Sequence, residues 1–322
     1  MYRIVSIAIL LFVFFSNASL QAQQYYFRSY SIEEGLPQSE IRSILTDSRG
    51  YVWLGTQAGL ARYDGHHFKT FTPKDGLNGY YITALTEDSQ GRLIVGTQVG
   101  VSRYDGKKFT TLQQKHPGRI IQMGCNNDGD VWAIIASGGQ IRVTYLHNDE
   151  FVDLTPTIQK LFKKTPYGFF SKNGKQLFLY HPLLGKAYEL KNRNLVPTSL
   201  PAEIFDGKTP ILIQFQDRKG GIWYRPSGTP SPLFRHDGSK IQEMKLPSTF
   251  LNGQINSNYE DRDGNLWLGS NNAGCLRYDG QSFQHFDVKN GLPHNTIAGF
   301  TQDREGNIWL GTNNSGYGVL KY

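Results

Sequence analysis

The chain holds only two cysteines, Cys125 and Cys275, at unrelated positions in its sequence pattern. A disulfide-stapled scaffold is therefore excluded, and both read as isolated thiols. Beyond residue 15 no apolar run approaches the roughly twenty residues that a membrane-spanning helix needs. The eight histidines show no His-x-x-x-His or comparable ligand spacing, so the expected set of metal ligands is none. Kinase phosphate-binding glycines, a phospho-acceptor histidine context and a helix-turn-helix are also missing from the sequence. The net charge of +7 is scattered, with only Lys107-Lys108 and Lys163-Lys164 as short basic pairs. A nucleic-acid binder concentrates such charge in a patch, so no nucleic-acid partner is expected.

What is present begins with Met1-Tyr-Arg3, an apolar run from Ile4 to Phe15, and small and polar residues to Gln23. About twelve apolar residues behind a positive charge read as a secretory signal peptide over 1–22, cut after Ala22. Leu20 is an unusual residue three positions before that cut, and no cysteine follows to carry a lipid. The mature chain, 23–322, is expected to be periplasmic or secreted.

One phrase then recurs. Asp47-x-x-Gly50-x-x-Trp53-Leu-Gly55 runs on to Gly59 and Tyr63-Asp64-Gly65. It returns from Asp88 to Gly106, from Asp261 to Gly280, and from Asp303 to Gly316. Each copy reads as four short strands, here Ile41–Thr46, Tyr51–Gly55, Gly59–Tyr63 and His67–Thr72, punctuated by Asp and Gly turns. Gly50, Gly91, Gly129, Gly174, Gly220, Gly264 and Gly306 mark seven copies spaced by 38 to 46 residues. Copies three to five are worn, and copy four is the weakest. Repeats of this length built from short strands indicate propeller blades.

The expected fold is an all-β, seven-bladed propeller of four-stranded antiparallel blades. Its last copy stops at a third strand, Gly318–Tyr322, whereas Tyr25–Leu36 resembles a fourth strand with its exit loop, as in His67–Leu77. The N-terminal strand is thus expected to complete the last blade and remove the exposed sheet edges. One segment breaks the strand grammar. Thr155-Pro156 followed by Ile158, Leu161 and Phe162 predicts a short inserted helix with Thr155 as N-cap.

The unit D-x-x-G-x-x-W-x-G-T-x-x-G-L-x-x-Y-D-G…F…G-L-P resembles the two-component regulator propeller repeat. The match is specific over Asp47–Pro73, Asp88–Thr111 and Trp267–Pro293. The resemblance implies a seven-bladed extracytoplasmic sensor domain that detects a ligand, often a glycan fragment, and signals to a membrane histidine kinase. Family members carry a second propeller, a β-sandwich, a membrane helix and a kinase core, none of which this sequence shows. The expectation is a stand-alone relative, a partner of another protein, or part of a split or truncated gene.

Chemistry can also be sought in the repeated residues. Asp261-Arg-Asp263-Gly264-Asn265 resembles the opening of a calcium loop, but a strand follows at once, and an Asp-Gly turn explains the residues. Trp53, Trp132, Trp223, Trp267 and Trp309 stand three residues after their turn glycines, with Ile94 in the same place in copy two. That regularity predicts packing between blades rather than sugar platforms. No nucleophile–His–acid set stands out, so catalytic residues and cofactors are expected to be none.

Function is better sought where the copies disagree. Connections between fourth and first strands share one face of a propeller with the loops between second and third strands. The first group offers Gln38, Glu40, Tyr80, Tyr81, Arg119, Gln254, His294 and Asn295. The second offers Gln57, Gln98, Asn271, Asn272, Asn313 and Asn314. Amides, tyrosines and an arginine around one mouth suit a glycan or peptide, although ordinary hydrophilic turns remain the alternative. The expected role is non-catalytic recognition, with a protein-docking scaffold or a carbohydrate-active lyase or hydrolase as alternatives.

Overall fold

The computed structural model describes residues 27–163, 168–172, 175–228, 231–251, 254–313 and 319–321. The signal-peptide region, the turn at Gly174, the loop at Asn252 and the candidate Asn314 lie outside them. Strands of the first copy are Ile41–Thr46, Val52–Thr56, Leu60–Tyr63 and Phe68–Phe71, within a residue of expectation. They pair in order as an antiparallel meander. The turn between the first two is closed by Asp47, whose Oδ1 accepts from the N–H groups of Arg49 (3.0 Å) and Tyr51 (2.9 Å). Gly50 takes a φ of +90° there, a conformation that an L side chain strains.

The other carboxylate oxygen holds the tryptophan. Trp53 Nε1 donates to Asp47 Oδ2 at 2.9 Å, and the same bond joins Trp223 to Asp217, Trp267 to Asp261 and Trp309 to Asp303. All five indoles are buried, and each packs among residues of the following meander. Trp53, for example, shares a core cluster with Ile82, Leu93 and Val95. Burying an aromatic of this size is worth about 4–6 kcal/mol as an upper bound. The indoles build the fold, as their regular spacing suggested. Asp261 also accepts from Asn265 Nδ2 and the Asp263 and Asn265 N–H groups, so the turn accounts for the calcium-like motif. Copy three differs: Asn126 replaces the Asp, and Trp132 Nε1 donates instead to the Lys175 carbonyl.

The glycine at the end of the second strand in copies one, two, six and seven (Gly55, Gly96, Gly269 and Gly311) has a packing reason. A Cβ on Gly96 would stand 2.9 Å from Ile120 of the next meander, and one on Gly311 would stand 2.7 Å from Ile41. Adjacent meanders therefore pack closer than any other residue permits.

Sheet count differs from expectation. Seven separate sheets were expected, whereas the strands form three four-stranded and two eight-stranded sheets. Each larger sheet is two meanders joined by a parallel pairing. Glu150–Asp153 reaches Phe109–Gln114 because copy three has an eight-residue third strand, Gln140–His147, which carries its outer strand to the neighbour's edge. The second junction is a single pair, Lys172 with Gln216. The worn glycine punctuation of copies three to five gave no warning of these junctions.

The N-terminal strand does close the last blade. Arg28–Tyr30 pairs antiparallel with Val319–Lys321, which pairs in turn with Ile308–Thr312. Arginines tie successive turns together. Arg218 donates to the carbonyls of Glu260 and Asp261, each at 2.7 Å, Arg262 to those of Asp303 and Arg304, and Arg304 to that of Ser48 (3.0 Å). The inserted helix spans Thr155–Leu161 and buries Ile158, with Phe162 behind it, against Trp132, Leu177 and Tyr188. Thr155 is not its N-cap. Leu154 holds that place, and Thr155 Oγ1 accepts from the Val143 N–H at 3.2 Å.

Candidate ligand-binding site

Six first strands converge on an axial cavity: Ile41–Thr46, Ile82–Glu87, Arg119–Cys125, Ile211–Gln216, Ile255–Glu260 and Ile297–Gln302. Near its start each of five of them carries a bulge, one extra residue opposite the second strand. The extra residues are Arg42, Thr83, Ile121, Asn256 and Ala298. A bulge re-aims the side chain it inserts. All five line one cavity of about 220 Å³, together with Tyr81, Arg119, Asn271, Thr296 and Asn313.

This mouth lies at the end of the propeller to which the sequence assigned recognition. Its walls are held because three of these loops are tied to the segment leading into the first strand of the same meander. The N–H of Gln98 donates to the Tyr81 carbonyl (3.1 Å), that of Asn271 to Gln254 (3.3 Å) and that of Asn313 to Thr296 (3.2 Å). Asn256 Nδ2 donates to Asn271 Oδ1 at 2.6 Å, which fixes both amides, and Thr296 Oγ1 donates to the Asn271 carbonyl. The Arg42 guanidinium lies 5.6 Å from the Tyr81 ring centroid and pairs with Glu40. Its Nε is buried with no acceptor among the described residues. Arg119 is exposed, and no ion pair involves it among those residues.

Of the residues expected to bind ligand, the mouth gathers Tyr81, Arg119, Asn271 and Asn313. Gln38, Glu40 and Gln57 form a support beside Arg42: Gln57 Nε2 donates to Glu40 Oε2 (2.6 Å), and its N–H to Gln38 Oε1 (3.1 Å). Tyr80, Gln98, Gln254 and Asn272 are exposed at the same end but do not line the cavity. His294 and Asn295 act in the scaffold. His294 Nδ1 accepts from the Thr296 N–H and Asn295 Oδ1 from the Val288 N–H, both at 3.0 Å. Arg42, Thr83, Asn256 and Thr296 were missed, although aligning the residue after each first-strand isoleucine would have found the first three.

The opposite end opens into a larger axial cavity of about 840 Å³. Its carboxylates are already engaged in the scaffold. Glu87 accepts from the Ser48 N–H and hydroxyl, Glu260 from the Arg218 N–H, Asp88 pairs with Arg92, and Asp217 accepts from Trp223. Cys125 lines this cavity and Cys275 is fully buried; both are free thiols, and burial pushes both upward from the usual thiol range. Among the described residues, no three His, Cys, Asp or Glu side chains come together as a metal would require. None of the described helices is long and apolar enough to cross a membrane.

Comparison with known proteins bears on both the repeat and the ring. The two-component regulator propeller family matches at residues 35–58, 76–98, 249–272 and 291–314. Among solved structures, the extracellular domain assigned to the hybrid two-component system BT3049 of B. thetaiotaomicron is 19% identical, with a TM-score of 0.66. The alignment covers 92% of this chain and 42% of that one. The extracellular domain of BT4673, from the same organism, is 22% identical over 93% of this chain and 40% of that one, with a TM-score of 0.67. This chain thus spans less than half the length of either. Virginiamycin B lyase from Staphylococcus aureus shares the fold at 12% identity and a TM-score of 0.65, covering 92% and 99% of the two chains. No curated protein matches the sequence. The chain is an all-β propeller, four stretches of which match the two-component regulator propeller family.

Proposed function

We propose that this chain is an exported, non-catalytic recognition propeller, a sensor-type domain of a two-component regulatory system that binds a glycan or another polar ligand at the axial mouth. The observation that carries the reading is the set of five bulged residues re-aimed into one small cavity beside Tyr81, Arg119, Asn271 and Asn313. A sixth first strand, Ile211–Gln216, is bulged farther along, at Gln214, and that residue does not line the mouth. Fixed amides suit sugar hydroxyls, and an aromatic edge suits an apolar sugar face. At about 220 Å³ the mouth is smaller than a typical ligand site of roughly 300–1,000 Å³. It fits one monosaccharide or the end of a chain.

The ring is read as seven-bladed, each eight-stranded sheet counting as two blades, with residues 23–322 as one propeller behind a cleaved signal peptide over 1–22. A membrane histidine kinase or another periplasmic protein would receive the signal. The resemblance to the two extracellular domains supports that placement by fold. A lyase shares the fold as well, but among the described residues no acid or histidine lines this mouth. Thermal-shift screening against neutral saccharides and short peptides tests the reading, followed by calorimetry on Tyr81→Ala and Asn256→Ala. Binding that both variants retain at wild-type affinity would place the site elsewhere.

A further inference from the structure

We infer that the axial mouth selects a ligand bearing a carboxylate, the guanidinium of Arg119 taking the anion and the amides taking neighbouring hydroxyls. The inference rests on the mouth being a binding site and adds the charge of what binds there. Two guanidiniums, Arg42 and Arg119, stand among the ten lining residues, and no carboxylate does. Glu40 is the one acid engaged at this wall, and it is already divided between Arg42 and Gln57. The local balance is therefore positive. Arg119 is left with its planar donor fork facing solvent, a geometry that matches a carboxylate through two parallel N–H bonds.

The supporting wall is built to hold that charge. Arg42 is fixed between Glu40 and the Tyr81 ring, and its buried Nε finds no protein acceptor, so the wall is under-supplied with acceptors as well as with negative charge. Asn271 and Asn256 are locked to each other through one Oδ1, and Asn256 Oδ1 accepts from the Ser257 hydroxyl (3.5 Å), so the Asn271 Nδ2 group is left to meet a polar, uncharged part of the ligand. An acidic monosaccharide unit satisfies both demands. A small acyclic carboxylate satisfies only the first.

Calorimetry on the full chain with sodium D-glucuronate, D-glucose and sodium succinate separates these cases. The expected result is that glucuronate binds at least about ten-fold more tightly than glucose, with succinate between them, and that raising salt weakens only the acids. Arg119→Gln lowers glucuronate affinity about ten-fold and shrinks its preference over glucose, whereas Arg119→Lys restores part of the loss. Arg119 is exposed, so neither substitution threatens the fold. Succinate equal to glucuronate supports the carboxylate and assigns it to an acyclic source. Glucose equal to glucuronate overturns the inference while leaving a neutral polar site in place. Loss of no affinity in Arg119→Gln, or binding by none of the three probes, overturns it outright.

Discussion

Tyr30 lies flat against Trp309, with ring centroids 5.2 Å apart and an angle of 11° between the planes. The first described strand therefore does more than complete a ladder of hydrogen bonds. Its aromatic side chain seats on the indole of the last repeat, beside Tyr63 and Phe68 of the first. Tyr30 is 3% exposed, so its removal leaves a cavity at the seam where the two ends of the chain meet. Tyr30→Ala is expected to cost about 3–5 kcal/mol. Urea denaturation followed by tryptophan fluorescence measures it, with the exposed Tyr80→Ala expected to stay within about 0.5 kcal/mol of wild type.

The Asp–Trp bond is specific to a carboxylate. Both oxygens of Asp261 accept, from backbone N–H groups, from Asn265 Nδ2 and from Trp267 Nε1. Asp261→Asn turns one acceptor into a donor facing donors, a buried mismatch costing about 1–3 kcal/mol. The expected readout is a lower denaturation midpoint with an unchanged denaturant slope.

Close packing at the repeat glycines makes a similar prediction without any polar group. Gly96→Ala pushes a methyl group to 2.9 Å from Ile120. Overpacking of that kind costs about 1–3 kcal/mol. Restoring the space with Gly96→Ala/Ile120→Val should recover part of the loss, which a backbone-strain effect would not allow.

Acid should loosen the seam. Burial pushes the Asp303 carboxyl upward, but hydrogen bonds from Trp309, Asn307 and Lys321 outweigh it and hold the group below the ordinary carboxylate range. A depressed folded value contributes stability that is complete above the unfolded value of about 3.9 and is lost as pH falls through the folded one. Wild type should therefore lose stability below about pH 4 more steeply than Asp303→Asn, the two curves converging as the pH falls further. Denaturant midpoints from pH 6 to 2.5 provide the check, and parallel curves would rule out this carboxylate as the source.

The parts that recur in the sequence are those it exposed. Asp47, Gly50 and Trp53 repeat because most blades use the same turn and five use the same indole, and the first-copy strand limits read from them fall within a residue. Bulges are different. One extra residue in a six-residue strand leaves no glycine or proline and barely disturbs the alternation, so Arg42 and Asn256 were not singled out, whereas Tyr81 and Arg119, which line the same cavity, were. His294 and Asn295 present the opposite case. They vary between copies, yet their polar atoms are consumed in shaping the loop.

A crystal structure of the chain soaked with glucuronate tests the axial mouth most directly. Ordered ligand between Arg119, Asn256 and Asn313, with its carboxylate on Arg119, is the predicted result. Ligand ordered in the 840 Å³ cavity at the opposite end, with the mouth empty, would contradict it.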